Sequence, residues 1–195
     1  MSVQSSRTVT VPSGIWELDP SHTSVSFSAR HLMVSKVRGR FGSFRGTITV
    51  GDDPLISSVT AEIDTASIDT KDEQRDGHLK SPDFLNVDKY PTITFKSTAV
   101  RDAGDGEYDV DGNLTILDAT RKVTLKVVLS GVEKDPWGGT RVGFEASTEF
   151  SRKDFGLEWN VALESGGVLV GDKVKVELEI EAVQQAPAAE GPAAG

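Results

Sequence analysis

Eight stretches of this chain alternate apolar and polar residues with a period of two. A strand points successive side chains to opposite faces, so each stretch demands one dry face and one wet one. Val25, Phe27 and Ala29 alternate with Ser24, Ser26, Ser28 and Arg30, and Phe44, Gly46, Ile48 and Val50 alternate with Arg45, Thr47 and Thr49. The pattern returns at 59–63, 93–99, 108–116, 123–129, 142–150 and 174–180. Connections such as Gly51-Asp52-Asp53-Pro54, 102–106 and 135–139 are turn-like and suit antiparallel neighbours. The expected fold is all-β, an eight-stranded antiparallel barrel whose closure removes exposed edges. A two-layer sandwich gives the same alternation, and the pattern alone leaves both open.

Two connections are too long for plain turns. The first, 65–90, contains Thr70-Lys71-Asp72-Glu73, a capping-box pattern that predicts a short helix ending at Pro82. In the second, 151–172, Phe155, Leu157, Trp159, Val161 and Leu163 alternate with other residues, giving either a ninth extended stretch or an apolar-lined loop. Both read as lids over one barrel end. One domain is expected over 14–183, with a flexible N-terminus at 1–13 and a disordered Ala/Pro/Gly tail at 184–195.

The dry faces are the candidate site. They carry Phe27, Phe44, Ile48, Ile63 and Phe95, then Val110, Leu125, Phe144, Phe150 and Leu178. Ala29, Ala61 and Ala146 lie among them. An eight-stranded barrel is either just filled by side chains or holds one ligand. Small inward residues favour a hollow, although large and small residues also alternate in a tapering packed barrel. These thirteen positions are the expected lining of an apolar pore. His31, His78 and Arg152, near the strand ends, are candidates for its polar mouth. Asp19, Arg75, Asp76 and Asp154 are charged neighbours of the same regions, and exposure to water is the commoner role for such residues.

Composition removes other chemistries. A formal net charge of −9 disfavours phosphate backbones, so nucleic acid is set aside. The absence of cysteine excludes disulfides, thiolate metal sites and thiol catalysis. The chain has no Gly-x-Ser-x-Gly elbow, phosphate loop or dinucleotide fingerprint. His22, His31 and His78 are its only histidines, and none has the i, i+4 spacing of a metallohydrolase helix. No metal, cofactor or catalytic residue is therefore expected. Residues 1–7 are polar, and no apolar run approaches the ~20 residues of a spanning helix. The expected location is cytoplasmic, or extracytoplasmic if a leader has been removed. Asn113-Leu114-Thr115 matches a glycosylation sequon, but it falls within a strand pattern.

Further motifs carry a resemblance. Trp16-x-x-Asp19-x-x-His22-x-x-Val25-x-Phe27 and His31 lead into Val37-Arg38-Gly39-x-Phe41-x-x-Phe44-x-Gly46. Ser67-Ile68-x-Thr70, Arg75-Asp76-x-His78-Leu79-x-Ser81-x-Asp83-Phe84 and Tyr90-Pro91-x-Ile93-x-Phe95 follow. Gly112-x-Leu114-Thr115 and Arg152-x-Asp154-Phe155-Gly156 complete the set, and the match they carry runs from Trp16 to about Glu181. In these spacings the chain resembles the YceI-like proteins, a polyisoprenoid-binding family with a lipocalin-like fold. Asp118 departs from the family pattern, which has Gly there. The resemblance implies an extended antiparallel barrel with a long apolar pore. It implies an isoprenoid guest, polyprenyl or quinone-like, and a homodimer. The leading functional reading is carriage or storage of that lipid, and transient membrane contact for loading is expected with it. The resemblance carries over no catalytic residue. Two other readings stay open: an enzyme acting on such a lipid through His22, His31 or His78, and a filled barrel serving as an interaction module.

Overall fold

The computed structural model describes residues 9–187. β1 (Gly14–Leu18) and β2 (Ser24–His31) run along one line, and β3 (Ser35–Phe41) and β4 (Phe44–Val50) return beside them as a long hairpin. β5 (Ser58–Asp64) and the short β6 (Ile68–Asp69), separated by a 3-10 turn at Thr65–Ser67, form a third broken stave. β7 (Thr92–Gly104), β8 (Glu107–Ile116), β9 (Ala119–Lys134), β10 (Thr140–Ser151) and β11 (Val170–Gln184) are single staves. Each stave lies antiparallel to its neighbour in sequence. β11 then pairs back onto both halves of the first, with Trp16 opposite Gln184 and Phe27 opposite Val176. Eleven strands therefore make eight staves of one closed up-and-down barrel, which decides against the sandwich.

Interruptions in the alternation mark local irregularities. The β7–β8 register shifts between Ser97 and Ala99. The bulge reverses the faces beyond it, so Ala99, on the dry face by alternation, is exposed and Val100 turns inward instead. Between β9 and β10 the register shifts at Gly143/Phe144, and Val132 joins the core out of step with Leu129.

The helix, α1 (Glu73–Lys80), is capped by Asp72, whose carboxylate accepts from the Arg75 amide at 3.0 Å. This corrects the capping-box expectation for Thr70. The chain turns at Lys71 in a left-handed conformation, which leaves Thr70 buried outside the helix. Ser81 follows as the C-cap, one residue before Pro82. The 155–163 segment is a loop. A 3-10 turn at Arg152–Phe155 ends on left-handed Gly156, and a single bridge joins Ala162 to Val168. Gln184, expected in the tail, belongs to β11, while 188–195 and 1–8 lie outside the described residues. Of the expected flexible N-terminus, Pro12 accepts a hydrogen bond from the Trp16 indole at 3.1 Å.

The ends of the barrel differ. At one, the fully buried Trp16 packs with Ile48, Val50, Val142 and Ala182, all from staves. At the other, Phe84, Leu85, Phe155 and Leu157 come from the two long connections and pack onto Ile68, Ile93 and Ile116 of the stave ends. The wall is also forked near this second end. β9 and β10 pair from Thr140/Lys134 to Ser147/Lys126 and no further. Beyond that, β9 stays with β8 and β10 with β11, and the Arg152–Phe155 turn packs against β9.

Candidate ligand-binding cavity

A cavity of about 420 Å³ lies between the two end clusters, a size typical of small-molecule sites. All thirteen dry-face residues line it, from Phe27 and Ala29 on β2 to Leu178 on β11. The barrel stays hollow partly because two of its phenyl rings are set back. A Cβ on Gly39 would collide with the Phe27 ring, and one on Gly112 with the Phe95 ring. Each ring lies against a neighbouring stave that has no side chain at that point, so it follows the wall instead of crossing the bore.

Sequence patterning did not single out the residues that border the cavity at its ends. Leu79, Phe84, Leu85 and Leu157 come from the long connections, and Val9 and Val11 precede the first stave. Leu157 lies in the alternating 155–163 run; the other five belong to no period-two stretch, so no periodic signal marks them. Tyr108 and Thr148 also line the cavity, on faces the alternation had already labelled dry.

The expected polar mouth is not assembled as one site. Arg152 borders the cavity and is 3% exposed, but its guanidinium is already engaged. It donates to the carbonyls of Leu157 (2.6 Å), Trp159 (2.9 Å) and Gly171 (2.9 Å). Burial pushes its pKa down, opposed by the Asp172 carboxylate. Arg152 is thus the clamp that holds the second long connection, its charge spread over carbonyl oxygens. His78 is outside the cavity lining. Its ring sits edge-on to Trp159 at 4.6 Å and to Phe84 at 5.1 Å, and Nε2 is 2.9 Å from Asp83. It ties α1 to the loop above it. His31 also lies outside the lining, at the end of β2, where its carbonyl accepts from Val34.

His22, Asp19 and Glu181 come close enough to share a cation. Arg141 already supplies a positive charge there, with Nη1 2.8 Å from Asp19 and 2.6 Å from Glu181. Hydrogen bonds from Ser21, His22 and Arg141 hold the Asp19 carboxyl far below the usual carboxylate range. The same network, Asp19 first, raises the Arg141 guanidinium. The group is an ion-pair network on the outside of the barrel, pinning the break between β1 and β2 to β10 and β11.

The fork in the wall holds a second, open groove of about 540 Å³. Val123, Thr148 and Phe150 face both this groove and the cavity, while Lys122, Lys126 and Lys175 stand on its outer rim. Asp154 and Glu149 are there too, so the rim carries both signs of charge.

The family model described as YceI-like domain matches residues 16–182. The chain belongs to the YceI-like family. A UPF0312 protein of Pseudomonas aeruginosa (strain LESB58) is 41% identical over 165 residues, covering 84% of this chain and 83% of that protein. A UPF0312 protein of Vibrio cholerae (strain M66-2) is 38% identical over 168 residues, with coverages of 85% and 84%. Among solved structures, Burkholderia cenocepacia BcnA superposes with a TM-score of 0.72 at 23% identity, over 84% of this chain and 98% of that one. A polyisoprenoid binding domain from Saccharophagus degradans, implicated in plant cell wall breakdown, gives 0.64 at 16% identity, with coverages of 89% and 100%. At these identities the two structures speak for the fold.

The motifs that carried the YceI-like resemblance have a common physical role here. Thr70 donates to Asp76 at 2.6 Å and accepts from Arg75 Nε at 2.8 Å, while Arg75 Nη2 reaches the Thr70 carbonyl at 2.9 Å. These bonds fix α1 to the end of the third stave. Leu79 and Phe84 of the same motif then face the cavity. Arg152 and Phe155 secure the opposite loop. In this YceI-like barrel, most of the recognisable sequence specifies how one end is closed.

Proposed function

We propose that this protein binds a long apolar isoprenoid lipid, polyprenyl or quinone-like, inside its barrel for carriage or storage. The observation that carries the reading is the cavity, bounded by two apolar clusters and walled by aliphatic and phenyl side chains. Each CH₂ of a guest taken from water into such a wall contributes ~0.8 kcal/mol, so a prenyl chain binds without needing an ionic anchor. The polyisoprenoid-binding domain with the same fold supports the choice of guest. Tyr108 and Thr148 offer hydroxyls to a head group. The enzyme reading draws no support from the wall, because His22, His31 and His78 are absent from its lining. A homodimer and transient membrane contact during loading complete the proposal.

Solvent extraction of the purified protein, followed by mass spectrometry, should release a molecule built of five-carbon repeats. A protein that emerges empty and also ignores added prenyl lipids would refute the reading. Ala146→Trp gives a structural check, since Ala146 is 5% exposed and faces the cavity. In delipidated protein the indole should fill empty space with little change in Tm, while prenyl occupancy falls. A packed interior would instead lose ~1–3 kcal/mol to overpacking.

A further inference from the structure

The β2–β3 hairpin combines three features that each work against stability. Leu32, Met33 and Val34 join the paired residues His31 and Ser35, and the turn is closed by the Val34 amide donating to the His31 carbonyl at 3.2 Å. Its central residues, Leu32 and Met33, have φ of +52° and +61°. Such turns select Asn-Gly, because both positions are left-handed, and bulky apolar residues are poorly suited to them. Leu32, Met33 and Val34 are also 40%, 55% and 80% exposed. Val161, 45% exposed, belongs to the adjoining loop, whose Leu169 carbonyl accepts from the Leu32 amide at 2.8 Å.

Directly behind this apolar tip, Arg30 faces Lys36 across the two strands, and Arg38 follows on the same outer face. Like charges opposite one another oppose pairing. In a chain of net charge −9, residues 20–51 hold five of the 21 cations and none of the 30 carboxylates. Arg40 and Arg45 are paired with Asp69 and Glu62. Arg30, Lys36 and Arg38 form no ion pair among the described residues, and Glu177, the carboxylate that feels Lys36 and Arg38, is bonded to Lys175.

We infer that this hairpin is a docking surface for an anionic lipid bilayer, with Leu32, Met33 and Val34 entering the interface and Arg30, Lys36 and Arg38 meeting the head groups. Charge complementarity selects the occupant. An apolar tip with cations set just behind it matches a layer of hydrocarbon beneath anionic phosphates. Nucleic acid has no use for the tip, and a second copy would oppose the same cations. Among the described residues no helix is long and apolar enough to cross a membrane. The hairpin projects at the barrel end closed by the long connections, so docking brings that end to the lipid. The inference rests on the carrier reading for its purpose, though not for its geometry.

The test is flotation of the full chain with phosphatidylcholine vesicles, with and without phosphatidylglycerol as about a third of the lipid. Binding should require the anionic lipid and weaken as salt rises. Lys36→Gln and Arg38→Gln should each weaken it roughly five-fold. Leu32→Asn combined with Met33→Gly is the decisive variant, since it installs the residues the turn prefers. Its Tm should hold or rise while vesicle binding falls at least about tenfold. Wild type that ignores anionic vesicles, or a double variant that binds as wild type does, overturns the inference. So does sedimentation showing a wild-type dimer that this variant converts to monomer, which would make a second copy the occupant. Uptake of geranylgeraniol added from ethanol, measured on the same samples, keeps the two readings apart. Vesicle binding without uptake would leave the docking surface standing and sink the carrier.

Discussion

The two ends of the barrel are closed by different kinds of structure. Around Trp16 the buried seal comes from the staves, with Val11 of the preceding segment packed against it: Ile48, Val50, Val142 and Ala182 all sit in hydrogen-bonded strands. Opening that end means breaking the sheet. At the far end, Phe84, Leu85, Phe155 and Leu157 are carried on connections that lie across the staves. Their departure would break no ladder hydrogen bond, so opening at this end could stay local to the connections. On the proposed carrier reading, one end would hold and one would yield, and the chain offers strands for the first task and loops for the second.

The sharpest way to break this comparison is at Trp16. Trp16→Ala should cost ~3–5 kcal/mol and lower Tm strongly, because the side chain is fully buried. Its unfolding should remain a single transition, since the seal belongs to the sheet. Arg152→Lys tests the other end. A lysine cannot serve three carbonyls with one planar fork, and the loss should be about 2–3 kcal/mol. The signature here is local: proteolysis within 156–169 and faster release of a prenyl probe, both out of proportion to the change in Tm. If Trp16→Ala speeds release as much as Arg152→Lys, the division between the ends fails.

Acid offers the smallest effect. The Asp19 carboxyl is held down in the folded state, so its contribution is complete above the unfolded value of about 3.9 and is lost as pH falls toward the folded one. Asp135, lowered by the Gly139 amide first and by Arg141, acts in the same direction. Thermal midpoints should therefore be flat from neutral pH to about 5 and decline below that. Asp19→Asn should lower the neutral plateau and flatten part of the acid limb. An unchanged limb would remove the network from the account of the strand-sealed end.

Much of the barrel was legible because period-two alternation records a physical demand. Every residue with a dry neighbour on one side and water on the other must declare itself, and Phe27, Ile48, Leu125 and Leu178 did. Closure was not legible: alternation cannot distinguish a barrel from a sandwich, and the deciding fact is that β11 pairs with β1. The bulge at Ser97/Ala99 was hidden because one extra residue changes no composition, yet it moved Ala99 out and Val100 in. Arg152 was singled out for its charge and assigned to a mouth. Its partners are backbone carbonyls, which leave no trace in side-chain pattern. Thr70 looked like a cap for the same reason, since spacing to Glu73 says nothing about where Asp72 places its carboxylate.

The fork between β9 and β10 bears on what the barrel can accept. In a fully laddered barrel the girth is fixed by strand number and stagger, and a thicker guest would have to tear hydrogen bonds. Here Ser147 and Lys126 are the last pair, so the wall below them behaves as an expansion joint. Phe150 and Val123 can separate or approach without any ladder bond being spent. On the proposed carrier reading, discrimination by thickness would then be weak, whereas length would stay limited by the closures at top and bottom. Such a container sorts its contents with a ruler and not with a gauge.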